Sequence, residues 1–337
     1  MEKILVVQTA FIGDAILTLP MIQKLFELFH NPEIDVVAIP STSEIFSASP
    51  FVHDVIIYDK KNEKSILSLI KLSKKLKQKM YSRIYSPHRS FRTSLLILYA
   101  NVKKTYGFSN SSLKHVYKNL IKYIPEHHEI QRNLDLIGFN YVSDEWKISP
   151  LINVSKPADK KVDIFIANLK TKNKFIAIAP GSIWNTKKYP TKYFEEIIKY
   201  LLVNSYNILL IGSELEKNVC EDIASKYSNV FSTAGKFTIL ESIGLLKRTE
   251  LLICNDSAPT HMGMCANIPV LTLYCSTSPK FGFSPYNNKS SFLSYDNLNC
   301  KPCGIHGKIE CPLKTFECGY KLVPEVVISK LEEMLNE

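Results

Sequence analysis

Short, unbroken apolar runs recurring between amphipathic segments constrain the fold of this chain more than any other feature. KILVV, IDVVAIP and DVIIYD in the first half, then FIAIAP, YNILLIG, ELLICN and PVLTLY in the second, lack the alternation of a half-exposed strand. A strand of that kind is covered on both faces, as in a parallel sheet sheathed by helices. The intervening segments read as helices: one from about Asp14 to Phe29, others near Lys192–Val203, Glu216–Ser225 and Ile239–Leu246. The expected class is α/β, doubly wound.

A chain of 337 residues is long enough for two such domains, each with its own core. The polar stretch around VSKPADKKVD lacks a strong strand and separates the two series of runs. The expected boundaries are a first domain over 1–155, a linker over 156–173, a second domain over 174–322 and a C-terminal helix over 323–337 that packs back on the first domain. A site is expected in the cleft between two such domains. In SILSLIKLSKKLKQKM, residues Ile66, Leu69, Ile70, Leu76 and Met80 share one helical face with lysines opposite, a pattern that suits a domain helix or a membrane-surface helix.

KILVV is too short for the apolar region of a signal peptide, and no uncharged apolar stretch approaches the roughly 18 residues of a spanning helix. A cytoplasmic location is therefore expected, and eight cysteines there argue against a disulfide framework. Cys254, Cys265 and Cys275 read as small core residues. Cys300, Cys303, Cys311 and Cys318 enclose His306, but their gaps of two, seven and six residues differ from the paired CxxC knuckles of a zinc ribbon. They are weak metal candidates. The net charge is +10, and between Glu63 and Glu126 there is no acidic residue at all. Such a stretch attracts phosphorylated substrates, acidic headgroups or nucleic acid, or is only a solvated surface. No recognised nucleic-acid module surrounds its aromatics, so no nucleic-acid partner is expected.

Three segments carry chemistry. After FIAIAP comes GSIWNTKKYP, where backbone amides, Ser182, Thr186 and Lys187 at the end of a buried strand are the ingredients of a diphosphate site. In ELLICNDSAPTH a strand ends at Asn255-Asp256 and a helix starts at Ser257, its amides turned to an anion and His261 one turn on along the same face. Helix capping followed by a core histidine is the plainer reading of that element. The first turn, FIGD, has one glycine and a carboxylate, Asp14, which repels a phosphate and suits a base or a helix cap.

With IGDAILTLP, RSFRTSLLILYANVKKTYGF, HEIQRNLDLIG, APGSIWNTKKYP, NDSAPTHMGMCANIPVLTLYCSTSP and the cysteine-rich tail in this order, the chain resembles the ADP-heptose:lipopolysaccharide heptosyltransferases of glycosyltransferase family 9, most closely the heptosyltransferase II branch. The resemblance implies a GT-B fold of two Rossmann-like domains, the second binding an ADP-sugar donor and the first a phosphorylated, lipid-linked saccharide acceptor. It also implies inverting, metal-independent transfer of heptose from ADP-L-glycero-D-manno-heptose to the lipopolysaccharide inner core, without a cofactor.

Matched position by position, Asp14 is the base. Ser182 and Lys187, beside Thr186, contact the donor phosphates. Asp256, Ser257 and His261 form the D-[ST]-[GA]-x-x-H element, and Glu214 or Glu216 holds the ribose. Inversion requires a base that takes the acceptor proton, and cations that stabilise charge on the departing diphosphate. Arg89 and Arg92 are expected to contact acceptor phosphates, with outer lysines drawing the chain peripherally to the anionic inner face of the cytoplasmic membrane. Departures at Gln8-Thr9-Ala10-Phe11 and at Ala258 leave two other readings open: a family-9 enzyme using another nucleotide sugar for a surface glycan, or a non-catalytic relative that binds anionic ligands or membrane.

Overall fold

The computed structural model describes residues 2–62 and 65–336. Glu63 and Lys64, at the start of the acid-free stretch, and Glu337, at the end of the expected last helix, lie outside the described residues. The chain divides into two compact units, residues 1–153 and 154–337.

The first unit runs β1 (Lys3–Val7), α1 (Ile12–Leu28), β2 (Glu33–Ala38), α2 (Ser43–Ser47), β3 (Asp54–Ile57), α3 (Ile66–Gln78), β4 (Arg83–Ser86), α4 (Phe91–Ala100), β5 (Lys104–Phe108), β6 (Asn119–Ile121) and α5 (Glu129–Leu136). Its strands pair in the order β3-β2-β1-β4-β5-β6, all parallel, with Val6 of β1 opposite Val36 and Tyr85.

The second unit runs α6 (Lys156–Asn168), β7 (Phe175–Ala179), α7 (Thr191–Val203), β8 (Asn207–Leu210), α8 (Lys217–Ala224), β9 (Val230–Ser232), α9 (Ile239–Leu246), β10 (Leu251–Asn255), α10 (Ala258–Ala266), β11 (Val270–Tyr274), β12 (Ser291–Ser294), α11 (Glu317–Tyr320) and α12 (Pro324–Asn336). The sheet order β12-β11-β10-β7-β8-β9, again all parallel, is the order of the first sheet counted from β7. In both units the chain reverses its direction of winding beside the first strand, between β1 and β4 and between β7 and β10. Those switch points, at the carboxyl ends of the strands, are where open α/β sheets hold ligands.

The buried strands are the apolar runs: every residue of β7, β10 and β11 is buried. The polar or short strands β5, β6 and β12 escape the sequence reading because strands toward a sheet edge need no continuous apolar run. In α3 the buried side is Leu69, Leu72, Ser73 and Leu76, which corrects the expected face. Ile66, the first residue of the helix, and Met80, which lies past its end at Gln78, are exposed.

The expected linker contains α6, begun by Ser155, whose hydroxyl accepts from the Ala158 amide. Val162 alone of its side chains is buried, so its apolar signal is weak. Ion pairs of Asp159 and Asp163 with Arg248, and of Lys161 with Glu241, add to its seating on α9. At α12, Val327, Leu331 and Met334 recur at helical spacing and join the core of the second unit beside α7, where Phe194, Ile197, Ile198 and Leu201 form the matching stripe.

Candidate functional site

At the first switch point, the loop leaving β1 turns into α1 through Asp14, whose carboxylate accepts from the Phe11 amide at 3.3 Å. The turn is held from below: Gln8 Nε2 donates to Thr18 Oγ1 at 2.9 Å, and the Thr18 hydroxyl donates to the Asp14 carbonyl at 2.7 Å. From the neighbouring β4 loop, His88 Nδ1 lies 3.0 Å from Thr9 Oγ1 and 2.7 Å from Thr93 Oγ1, tying the two loops together. Burial, with Lys60 and Arg89 nearby, pushes His88 down to about 3, so it is a neutral hydrogen-bonding pivot.

Around this pivot stand three cations. Lys60 Nζ donates to the Thr9 carbonyl at 2.9 Å, and burial together with the Arg92 charge pushes it down to about 8. Arg92 Nε donates to Tyr58 Oη at 3.0 Å. Arg89 lies over the Tyr123 ring at 4.3 Å, with Arg132 over the same ring at 4.8 Å. Behind Asp14 lies α5, packed on α1 and joined to it by Asn133 Nδ2 donating to the Leu17 carbonyl. Its buried Glu129 pairs with Arg132 at 2.9 Å. Burial and then the Asp14 charge push Glu129 up, while Arg132 and Arg89 pull it down. The expected base and the expected acceptor arginine Arg89 thus share one electrostatic neighbourhood.

Part of the acid-free stretch is neutralised by distant acids: Lys79 pairs with Asp35 and Asp54, and Arg83 with Glu2. Lys71, Lys74, Lys75 and Lys77 on α3 are exposed. No helix among the described residues is long and apolar enough to cross a membrane.

At the second switch point the pivot is Asn255. Its Oδ1 accepts from the Tyr189 amide at 2.8 Å, and its Nδ2 donates to the carbonyls of Pro180 and Gly181, so β10 holds both ends of the loop that carries Lys187. Lys187 Nζ lies 2.7 Å from Asp256 Oδ2, which also accepts from Thr277 Oγ1 at 2.6 Å. The lysine therefore arrives already paired. Ser257 precedes α10 in extended backbone; its hydroxyl donates to the Asn255 carbonyl and does not cap the helix. The Thr260 amide returns to the Ser257 carbonyl and Pro259 has no N–H, so the first-turn amides turned to a ligand are those of Ser257 and Ala258. His261 is buried, its Nδ1 has no hydrogen-bond partner, and burial beside the Lys187 charge pushes it down to about 3.

Ser182 is buried, its Oγ accepting from the Trp184 amide at 3.4 Å. The hydroxyl of Thr186 is fully engaged: it donates to the Lys308 carbonyl and accepts from the Lys308 amide and from Ser276 Oγ. In this structure it clamps the loop to the cysteine-rich tail. Glu216 folds back to accept from the Ser213 amide and hydroxyl and lies against Gly181, where a Cβ would collide with its Cγ. Glu214 is exposed, overlies Gly235 and pairs with Lys217.

Cys300 is exposed, Cys303 and Cys311 are half-buried, and Cys318 belongs to the core of the second unit. Among the described residues, no three or more His, Cys, Asp or Glu side chains form a group able to hold a metal ion. Sequence reasoning missed Asn255, Lys60, His88 and Ser276 as organisers of the site. Their common signal is position, at or within three residues of the carboxyl end of a parallel strand.

The family model for Glycosyltransferase family 9 (heptosyltransferase) matches residues 69–314. The chain belongs to glycosyltransferase family 9. As a family-9 chain it is similar to the lipooligosaccharide heptosyltransferase 2 of Campylobacter jejuni subsp. jejuni serotype O:6, 24% identical over 343 residues that cover 98% of this chain and 99% of the relative. Among solved structures it is similar to the E. coli ADP-heptose LPS heptosyltransferase II, with TM-score 0.81 and 20% identity over 99% of this chain and 98% of that one. A family-9 glycosyltransferase of Veillonella parvula gives TM-score 0.87 and 20% identity over 99% and 97%. The two Rossmann-like parallel-sheet units are the fold of these transferases, and the chain is related to the lipopolysaccharide heptosyltransferases.

Proposed function

We propose that this family-9 chain transfers heptose from ADP-L-glycero-D-manno-heptose to the lipopolysaccharide inner core, with inversion and without a metal. The observation that carries the reading is the opposite chemistry of the two switch points. One offers a carboxylate, Asp14, among cations; the other offers Lys187 beside the first-turn amides of α10. The second set suits a diphosphate and its growing charge as the sugar departs. Asp14 suits removal of a proton from the attacking hydroxyl. The names of the relatives, heptosyltransferase 2 and ADP-heptose LPS heptosyltransferase II, support the donor and the acceptor class.

Arg89, Arg92 and Lys60 hold acceptor phosphate in this reading. The Glu216 carboxylate is occupied by Ser213, which favours Glu214 for the ribose. The exposed lysines of α3, next to exposed Ile66 and Leu67, support a peripheral site of action at the anionic cytoplasmic face of the membrane. Calorimetric titration with ADP, UDP and GDP in metal-free buffer tests the donor. Selective micromolar binding of ADP is expected. Preference for UDP or GDP, or ADP binding only with added divalent metal, overturns it.

A further inference from the structure

The tail that the proposed reaction does not use is built onto the Lys187 loop. The Cys303 amide donates to the Ser276 carbonyl at 2.8 Å, and the Lys308 amide donates to Thr186 Oγ1 at 2.8 Å. Between these two fastenings the chain turns through Gly304 and Gly307, both at positive φ, with Ile305 and His306 in the turn. Gly307 permits the approach: a Cβ there would stand 3.1 Å from each of Lys187 Cγ, Thr186 Oγ1 and Ser276 Oγ, at a φ that strains any other residue.

The turn lays the His306 ring alongside Trp184 of the same loop, 25° from parallel with centroids 6.3 Å apart. The charged groups that act on the ring from neighbouring elements are Lys187 and Asp256. His306 is exposed and so is not dictated by core packing.

Charge arithmetic gives this position a purpose. Lys187 and Asp256 pair at 2.7 Å and sum to zero, and buried His261 is neutral. A nucleotide-sugar diphosphate brings two negative charges to that neutral set. Burial and then the Lys187 charge hold His306 below its ordinary value while Asp256 pulls it upward, so the empty site keeps it neutral near pH 7. A diphosphate beside it reverses that balance and favours the imidazolium.

We propose that His306 is a phosphate ligand of the donor, taking a proton from solvent as the diphosphate binds and donating a charge-assisted hydrogen bond to it. The inference rests on the reading of Lys187 as the diphosphate site. In the empty enzyme the ring is neutral; in the complex it adds a positive charge beside the diphosphate. Donor affinity is then coupled to pH through a residue of the tail.

The test is calorimetric titration of the full chain with ADP-ribose, whose diphosphate diester does not itself titrate near neutrality, in two buffers of different ionisation enthalpy. Wild type is expected to take up a fraction of a proton and to bind about 3- to 10-fold more tightly at about pH 6 than at about pH 8. His306→Gln, checked for wild-type circular dichroism and melting, is expected to lose the uptake and the pH slope while keeping the affinity seen at the upper pH. Uptake and slope unchanged in His306→Gln overturn the proposal, as does wild type that binds without proton uptake. Lys187→Ala separates the two readings. Weak binding at every pH with the slope retained supports both, and wild-type affinity in Lys187→Ala with the slope lost in His306→Gln removes the lysine reading and keeps the histidine.

Discussion

In the first unit an imidazole, His88, joins the loops leaving β1 and β4; in the second an amide, Asn255, joins those leaving β7 and β10. The two sheets have the same strand order, and their switch points need the same fastening. What the fastened loops display differs. The first keeps a carboxylate, Asp14, near Arg89 and a buried Glu129–Arg132 pair, with Lys60 and Arg92 alongside. The second bonds its lysine directly to a carboxylate, Lys187 to Asp256. Identical topology thus carries a carboxylate among cations at one switch point and a charge-balanced lysine–aspartate pair at the other, because the strand ends supply only position while the loop residues supply chemistry.

The sharpest way to break this contrast is Asp14→Asn. The loss expected in turnover is about 10²- to 10⁴-fold, with ADP affinity within about twofold of wild type by calorimetry. An equal loss of ADP binding would mean that the first unit's carboxylate serves the donor. Next in size is Lys187→Ala, which leaves the buried Asp256 carboxylate without its cation. Donor affinity should fall by about 2–4 kcal/mol, and Lys187→Ala with Asp256→Asn should recover part of it. No recovery in the double variant would assign the whole loss to the missing ammonium.

The smallest expected effect is at Lys60. Pushed down to about 8, it is charged below that value and loses its charge as pH rises through it, so acceptor binding should weaken on going from about pH 7 to about pH 9. A bound anion raises that midpoint. Lys60→Gln should raise the acceptor KM by about 10-fold at neutral pH and flatten the dependence, read from initial rates against acceptor concentration. A KM that keeps its pH slope in Lys60→Gln would shift the role to Arg89 and Arg92.

The legibility of these features in the sequence follows their physics. Central strands such as β7 and β10 announce themselves because burial on two faces demands apolar residues throughout. Helix α6 does not, because one buried valine and a set of ion pairs with Arg248 and Glu241 seat it. At the sites, Asp14, Lys187 and Asp256 stand in short motifs beside strand ends and were readable there. The pairing of Lys187 with Asp256 spans 69 positions of chain and depends on two loops meeting. Helix α5 hides its role for a related reason: Glu129, Arg132 and Asn133 are polar in sequence and buried in structure, the first two paired one helical turn apart and the third donating through Nδ2 to the Leu17 carbonyl of α1.

The fastening of Thr186 to Lys308 also has a consequence in time. A chain grows from its N-terminus, and domains fold in that order as they emerge. By the time β12 has been made at Ser294, every strand of both sheets exists, and Asn255 and Ser276 are available to the Lys187 loop, yet Lys308, which fastens Thr186 from the tail, has not been synthesised. The tail and then α12 follow, adding Val327, Leu331 and Met334 to the second core and the Leu322 carbonyl that Tyr189 Oη donates to. A nascent chain therefore acquires its Asp14 turn well before the Lys187 loop is fastened to the tail, and ribosome-bound chains stopped between the two carry the first without the second.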